Sequence, residues 1–471
     1  MEFKLDTQLL NQNILKNGKA ENNAGNRIKL FPFPANETQL KDDVKADLKD
    51  FRGIAAACIR ESLGISPKNA FDKAEFITKI CAKANAPGNT DLERIVKKLV
   101  FNQNGHLELF DLLVYPHLHH PNSVDNKTLK EIARYIVAIF FDAQDKETIA
   151  ALVQAKPDNL FYKLVLSCLP DTHPASVDPE QYYHGAAKLK GQFRADLKVL
   201  TSDPDLFLTG FHQLLRYYFF KYVSDLAASL NAFFGPVKGT LFFSLKWERM
   251  QDYRQAMRSG WSNLEHHLRD MFSHAMTLEI INHIDGLGTV PLTYADLART
   301  ASSLSEEEKA CLVAQIQEAT ALYIQNQPKL PWHNFDANKP LSEDPLENVV
   351  KQLFQAVEFQ FNNSSKYRAK QAYANWMYEF TKPNFAKRRG ILGYSLSLDS
   401  DLLLLLTRIC VGDEEKIRLK ELWEGLETRG IYLDSLSKDQ VITYFEKVNL
   451  LEKKSDSGDA QYIRKFSQTS L

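Results

Sequence analysis

The sequence predicts a mainly α, multi-domain helical protein ending in a winged helix-turn-helix, three helices followed by a β-hairpin wing. Three observations predict it. Apolar residues recur at helical spacing along most of the chain. Alternating strand patterns are almost absent from residues 37–170. Residues 397–471 divide into three helical patterns and two short strands around a tight turn.

Residues 1–45 read as an N-terminal arm rich in Asn, Lys and Gln. Within it Phe31-Pro32-Phe33-Pro34 must be extended and laid on another surface, because proline excludes the helix for itself and its predecessor. A helical domain follows over 46–170. Leu48, Phe51, Ile54, Ala55 and Cys58 keep a 3.6-residue period, as do Leu92, Ile95, Val96, Leu99 and Val100. Ile132, Tyr135, Ile136, Ile139 and Phe140 form a third apolar face. The proline-bearing stretch Asp171 to Glu180 marks a boundary.

A long-helix domain is expected over 181–325. Phe207, Phe211, Leu214, Leu215, Tyr218, Phe219, Tyr222 and Leu226 give one wide buried face. After the Phe234-Gly235-Pro236 break, Trp247, Met250, Arg254, Met257, Trp261, Leu264, Leu268 and Met271 alternate spacings of three and four. That is the seam of a long helix packed along another. Arg254 lies in this seam, and a snorkelling edge residue is the favoured reading over a buried ion pair. Residues 326–347 form a Pro- and Asn-rich linker, and 347–395 a helical segment with a basic, aromatic stretch.

At the C-terminus, Asp399 to Cys410 is an almost wholly apolar helix. Ile417 to Thr428 is a second helix, stopped by Gly430. Ser437 and Gln440 suggest a capping box for a third helix that turns Val441, Ile442, Phe445 and Val448 inward. The run Leu450 to Lys465 then folds back at Asp456-Ser457-Gly458-Asp459, where Gly458 supplies the positive φ of a reversal.

Charge argues against duplex reading by this unit. Residues 397–471 hold eleven Lys and Arg against fourteen Asp and Glu. The third helix would expose Lys438, Asp439, Gln440, Thr443, Glu446 and Lys447, a balanced set, and Asp456 and Asp459 at the wing tip would repel phosphates. The wing residues Lys453, Lys454, Asp456, Gly458, Asp459, Arg464 and Lys465 therefore read as an interaction element for protein docking.

The run LLEKKSDSGDAQYIRK, after GIYLD and SKDQVITYFEKVN, resembles the C-terminal end of the DptG (DndG) family of DNA phosphorothioation-dependent restriction systems. The resemblance covers the final fifth of the chain and brings no catalytic motif with it. It implies a cytoplasmic, antiviral-defence subunit that works with DptF- and DptH-like partners to restrict unmodified DNA.

Composition sets the remaining bounds. A length of 471 residues suits about three domains. A net charge of −1 confines any nucleic-acid surface to a local patch. The scattered cysteines Cys58, Cys81, Cys168, Cys311 and Cys410 read as buried thiols in a reducing compartment. No signal-peptide core opens the chain, and no apolar run is long enough to span a membrane. No Walker-type loop, G-x-S-x-G or H-E-x-x-H occurs, so no catalytic residue, cofactor or metal site is expected. His117, His119 and His120 could bind a metal, but a polar turn is the favoured reading, and His266, His267 and His274 read as packing or surface groups.

One stretch differs in kind. From Lys366 to Arg389 there are seven cations (Lys366, Arg368, Lys370, Lys382, Lys387, Arg388, Arg389) and one carboxylate, Glu379. Tyr373, Trp376 and Phe380 among them have core spacing, whereas the cations could meet a phosphate backbone. Lys387, Arg388 and Arg389 are expected as an exposed basic rim at a helix end. The reading is thus a non-catalytic subunit, scaffold or DNA-contacting, of a restriction complex. The alternatives are an autonomous winged-helix regulator and a cryptic metal-dependent nuclease.

Overall fold

The longest described helix, Pro204–Asn231, forms the centre of the molecule. Asp203 caps it by accepting from the Leu206 N–H, and Pro204 takes a first-turn position where no N–H is needed. The computed structural model describes residues 2–16, 24–67, 72–103, 105–119, 126–154, 159–175, 182–185, 187–337, 339–453 and 461–466. It is mainly helical, as the periodicities predict.

The central helix is buried nearly all round, which requires neighbours on every side. Tyr218 meets Phe140 and Phe193 edge-on, with ring centroids 5.8 and 5.1 Å away. Phe219 lies against Phe51 and Phe380, and Phe220 against Phe385 at 4.4 Å. One buried apolar cluster runs from Phe3 to Ile463 and takes residues from each of the five segments drawn from the sequence. A smaller cluster, with Ile80, Val96, Val100 and Val165, joins the helices Lys73–Lys83, Thr90–Val100 and Leu160–Leu166.

The N-terminal arm lies on this core. Phe33 stacks on Trp376 at 6.4 Å and Phe31 meets Tyr373 edge-on at 6.1 Å. The buried Glu279 carboxylate accepts from the backbone N–H groups of Arg27 and Ile28, at 2.9 and 3.2 Å, fixing the start of the extended stretch.

The region expected as one long helix is not one. It holds a strand, Phe242–Leu245, a π-helical turn, Met257–Trp261, and two helices, Ser262–Arg269 and Met271–Ile281. The heptad-like seam is coincidental, since Trp247 precedes the helices and is 41% exposed. Phe242-Phe243-Ser244-Leu245 is instead a short apolar run at the middle of a four-stranded sheet. Leu245 pairs parallel with Leu398, and Phe243 parallel with Leu433. The π-turn packs directly on this sheet through Gly260, where a Cβ would lie 2.7 Å from the Phe242 carbonyl oxygen. Arg254 is also corrected: it is buried, not snorkelling.

The C-terminal stretch runs as helix Ser400–Val411, strand Lys416–Arg418, helix Leu419–Thr428, strand Tyr432–Leu433, helix Ser435–Lys447 and strands Leu451–Lys453 and Gln461–Arg464. Gln461–Arg464 pairs antiparallel with both Leu451–Lys453 and Lys416–Arg418. Two boundaries move. Ile417 belongs to a strand, and the last helix begins two residues before Ser437, capped by Asp434, which accepts from the Ser437 N–H at 2.9 Å. Ser437 is thereby freed from capping and turned inward.

Two ionic clusters join this stretch to the body. Arg429 meets Asp196 through Nε at 2.8 Å and Nη2 at 2.5 Å, and Asp196 also accepts from Tyr218 Oη at 2.6 Å. Arg254 donates to Asp434 at 2.8 and 2.6 Å and to Ser437 at 2.9 Å, and Ser437 donates to Glu248 at 2.9 Å. Removing one member of a buried pair strands the other charge, at about 3–5 kcal/mol. Asp196→Leu should therefore destabilise the chain by about that amount in urea unfolding, and adding Arg429→Met should recover part of the loss. Strictly additive losses would show that the pair is not coupled.

Candidate nucleic-acid interface

Of the seven cations between Lys366 and Arg389, the fold leaves few facing solvent unpaired. Lys370 is buried and bonded to Asp270 at 2.9 Å and Glu358 at 2.6 Å, so it cannot serve as a contact. Lys382 pairs with Glu379 at 3.1 Å. Lys366 is half-buried at the start of the helix Tyr367–Phe385. Tyr373, Trp376 and Phe380 are buried, as their spacing predicts.

The expected rim at a helix end is a hairpin instead. The helix stops at Phe385, and Ala386–Arg388 is an edge strand antiparallel to Tyr394–Leu398. The alternation in Tyr394-Ser395-Leu396-Ser397-Leu398 is a strand signal of period two. Gly390 and Gly393, at φ +61 and +81, make the reversal between the strands.

Arg389 does not join its two neighbours. Its side chain turns under the sheet, where Ser244, Ser395 and Ser397 are fully buried and bonded to one another at 2.8–3.1 Å. The guanidinium donates to all three hydroxyls at 2.9–3.1 Å and to the carbonyls of Leu245 and Glu248 at 2.8 and 2.7 Å. A serine-rich strand can be buried here because one planar, five-donor group meets its acceptors. Lys387 and Arg388 remain exposed and, like Arg368, form no ion pair among the described residues. Arg368 starts the helix that Lys387 follows, so about 26 Å of helix rise separates them. Only Lys387 and Arg388 are neighbours, and as successive strand residues they project from opposite faces of the hairpin.

The wing residues are mostly neutralised where they are described. Lys453 pairs with Glu446, and Arg464 with Glu452 at 3.0 Å. Lys465 reaches the Asp413 carbonyl at 3.4 Å, while Lys454, Asp456, Gly458 and Asp459 lie outside the described residues. On the neighbouring helix, Lys438 pairs with Glu427 at 3.0 Å and lies over the Trp423 ring.

Two further places carry polar chemistry. A cleft of about 930 Å³ between the central helix and the Leu419–Thr428 helix contains the Lys221–Asp225 pair, His267 and Gly430. His274 is buried between Phe354 and Tyr294, with Nδ1 3.2 Å from the Tyr294 hydroxyl. Burial, with a smaller contribution from Lys370, lowers its pKa to about 3, so it is a packed neutral ring. His117 is lowered to about 4, again mainly by burial, and His120 lies outside the described residues. No group of three metal-ligating side chains is present among the described residues.

Sequence reasoning missed the inward turn of Arg389 and the partners of Arg254 and Arg429. The serine alternation was the available signal for the first; the other two depend on contacts far apart in sequence. In comparisons with known proteins, the chain matches no family model and no curated protein.

Two outcomes follow for stability. Arg389→Ala should destabilise the protein by about 2 kcal/mol or more, because buried hydroxyls and carbonyls lose a charged donor, whereas Lys387→Ala/Arg388→Ala should stay within about 0.5 kcal/mol. Equal losses in urea melts would contradict this assignment. For His274, the unfolded chain binds a proton below its ordinary pKa of 6.5 while the folded one binds it only near 3. Stability should therefore fall as pH drops through this window, by about 1.4 kcal/mol per unit from this group. His274→Phe should make that acid limb shallower, and an unchanged limb would count against a neutral buried ring.

Proposed function

We propose that the chain is a non-catalytic subunit of a bacterial DNA phosphorothioation-dependent restriction complex. It acts in the cytoplasm beside DptF- and DptH-like partners. The resemblance of residues 450–465 to DptG supports this, as does the C-terminal element order of three helices with a short strand between each and two strands at the end, which suits a winged helix-turn-helix. In this reading the winged helix docks a partner protein, because its described cations are largely matched by carboxylates.

DNA contact is assigned to the hairpin beside it. The observation that carries this part is the exposed, unpaired Lys387 and Arg388 on a strand anchored from beneath by Arg389. Held cations of this kind replace condensed counterions on a phosphate backbone without reading sequence.

Lys387→Ala/Arg388→Ala should weaken duplex binding equally for all sequences. It should also reduce the log–log salt slope by about 0.9 for each phosphate that the variant no longer neutralises. Unchanged affinity and slope, in the full chain and in the assembly with its partners, would rule out the hairpin as the contact. Failure of the chain to co-purify with DptF- and DptH-like subunits would rule out the restriction assignment.

A further inference from the structure

The hairpin tip carries a residue that electrostatics alone does not explain. Ile391 is fully exposed, at 104% of its reference area, and is flanked by Gly390 and Leu392. No atom lies within 4 Å of where a Cβ would stand at Gly390 or Gly393, so the turn projects into open space. Single exposed aliphatic residues are common on proteins and need no function. This one differs in being held and in the charges behind it.

The holding is local and dense. The Arg389 N–H donates to the Gly393 carbonyl at 2.6 Å, and the Leu392 N–H to the Arg389 carbonyl at 3.2 Å. The Arg389 side chain fixes the base of the turn to the buried serine cluster and to two carbonyls of the central segment. An apolar tip on such a base enters a partner with little conformational entropy left to lose.

The charges identify the partner class. Lys387 and Arg388, unpaired among the described residues, precede Ile391 by four and three positions, within about 13 Å at the rise of an extended strand. An apolar tip ahead of two cations matches duplex DNA, whose minor groove is about 6 Å wide between anionic walls. Apolar wedges inserted there part a base step and kink the helix.

We propose that Ile391 is such a wedge, inserted between base pairs from the minor groove while Lys387 and Arg388 hold the flanking phosphates. The inference rests on the reading that this hairpin contacts DNA. Flexible pyrimidine–purine steps should accept the tip most readily, because they unstack at least cost.

The test uses the full chain at low salt and duplexes with 2-aminopurine placed next to TA steps. Wild-type protein at saturation should raise the 2-aminopurine fluorescence about twofold or more as the base unstacks. Ile391→Ala should abolish most of that rise while weakening affinity by less than about tenfold, because the phosphate contacts remain. Ile391→Leu should restore the rise. Circular dichroism and urea melts of both variants should match wild type, as expected for an exposed position.

Saturable binding without a fluorescence change, or an equal rise with Ile391→Ala, would overturn the wedge and leave the backbone-contact reading intact. Binding that is indifferent to Lys387→Ala/Arg388→Ala would overturn both. If Ile391→Asp abolished capture of a DptF- or DptH-like subunit but left the DNA signal unaltered, the tip would belong to a protein interface and the wedge would fail.

Discussion

A buried strand must have its backbone groups paired, and Phe242–Leu245 has both neighbours supplied from much later in the chain. Tyr394–Leu398 lies parallel on one side and Tyr432–Leu433 parallel on the other. Each orphaned buried N–H or C=O would cost about 1–3 kcal/mol. The central segment and the C-terminal stretch therefore cannot separate without exposing the sheet. The two ionic clusters, Arg254 with Asp434 and Arg429 with Asp196, lie across the same junction and resist the same separation. Paired, these charges do not by themselves show large net stability, but they strongly disfavour any state in which one partner is buried alone.

That junction also determines what the hairpin can do. Ser244, Ser395 and Ser397 come from two paired strands and would be poor core residues without a donor. Arg389 supplies that donor from the turn itself, so the same side chain completes the core and stiffens the exposed tip. The exposed cations owe their position to a third cation that is not exposed. A surface patch read as three equal charges is one inward-turned anchor and two exposed cations.

The sequence was most legible where a single element decides its own structure. The apolar faces of the helices Arg52–Leu63 and Lys127–Phe140, the aromatic central helix and the buried Tyr373, Trp376 and Phe380 stripe follow from 3.6-residue spacing alone, whereas in Thr90–Val100 only Val96 and Val100 are buried and Ile95 and Leu99, read onto the same face, are exposed. Legibility failed where pairing is remote. Phe242-Phe243-Ser244-Leu245 is too short for periodicity to separate strand from helix, and its identity depends on partners roughly 150 and 190 positions away. Arg254 matched a heptad position by chance; of its two carboxylate partners Glu248 is 6 residues away and Asp434, the closer contact, 180. Asp434 was available as a cap, yet Ser437 with Gln440 offered an equally plausible box, and the inward contact of Ser437 could not be read locally. For the candidate site, Lys387 and Arg388 were found as cations. The role of Arg389 required the serine alternation to be read as a strand, and the tip residue Ile391 carried no charge to draw attention.

The central claim is that the described residues from 397 to 466 are a structural continuation of the body. Native-state hydrogen exchange measures this most directly, because it reports the opening free energy of each segment separately. The amides of Leu403–Ile409 should share the protection of Leu214–Val223 in the central helix, and both should fall together when Asp196 is replaced by Leu. C-terminal amides that open at a much lower free energy than the central helix, unaffected by that substitution, would show an independent unit and contradict the account.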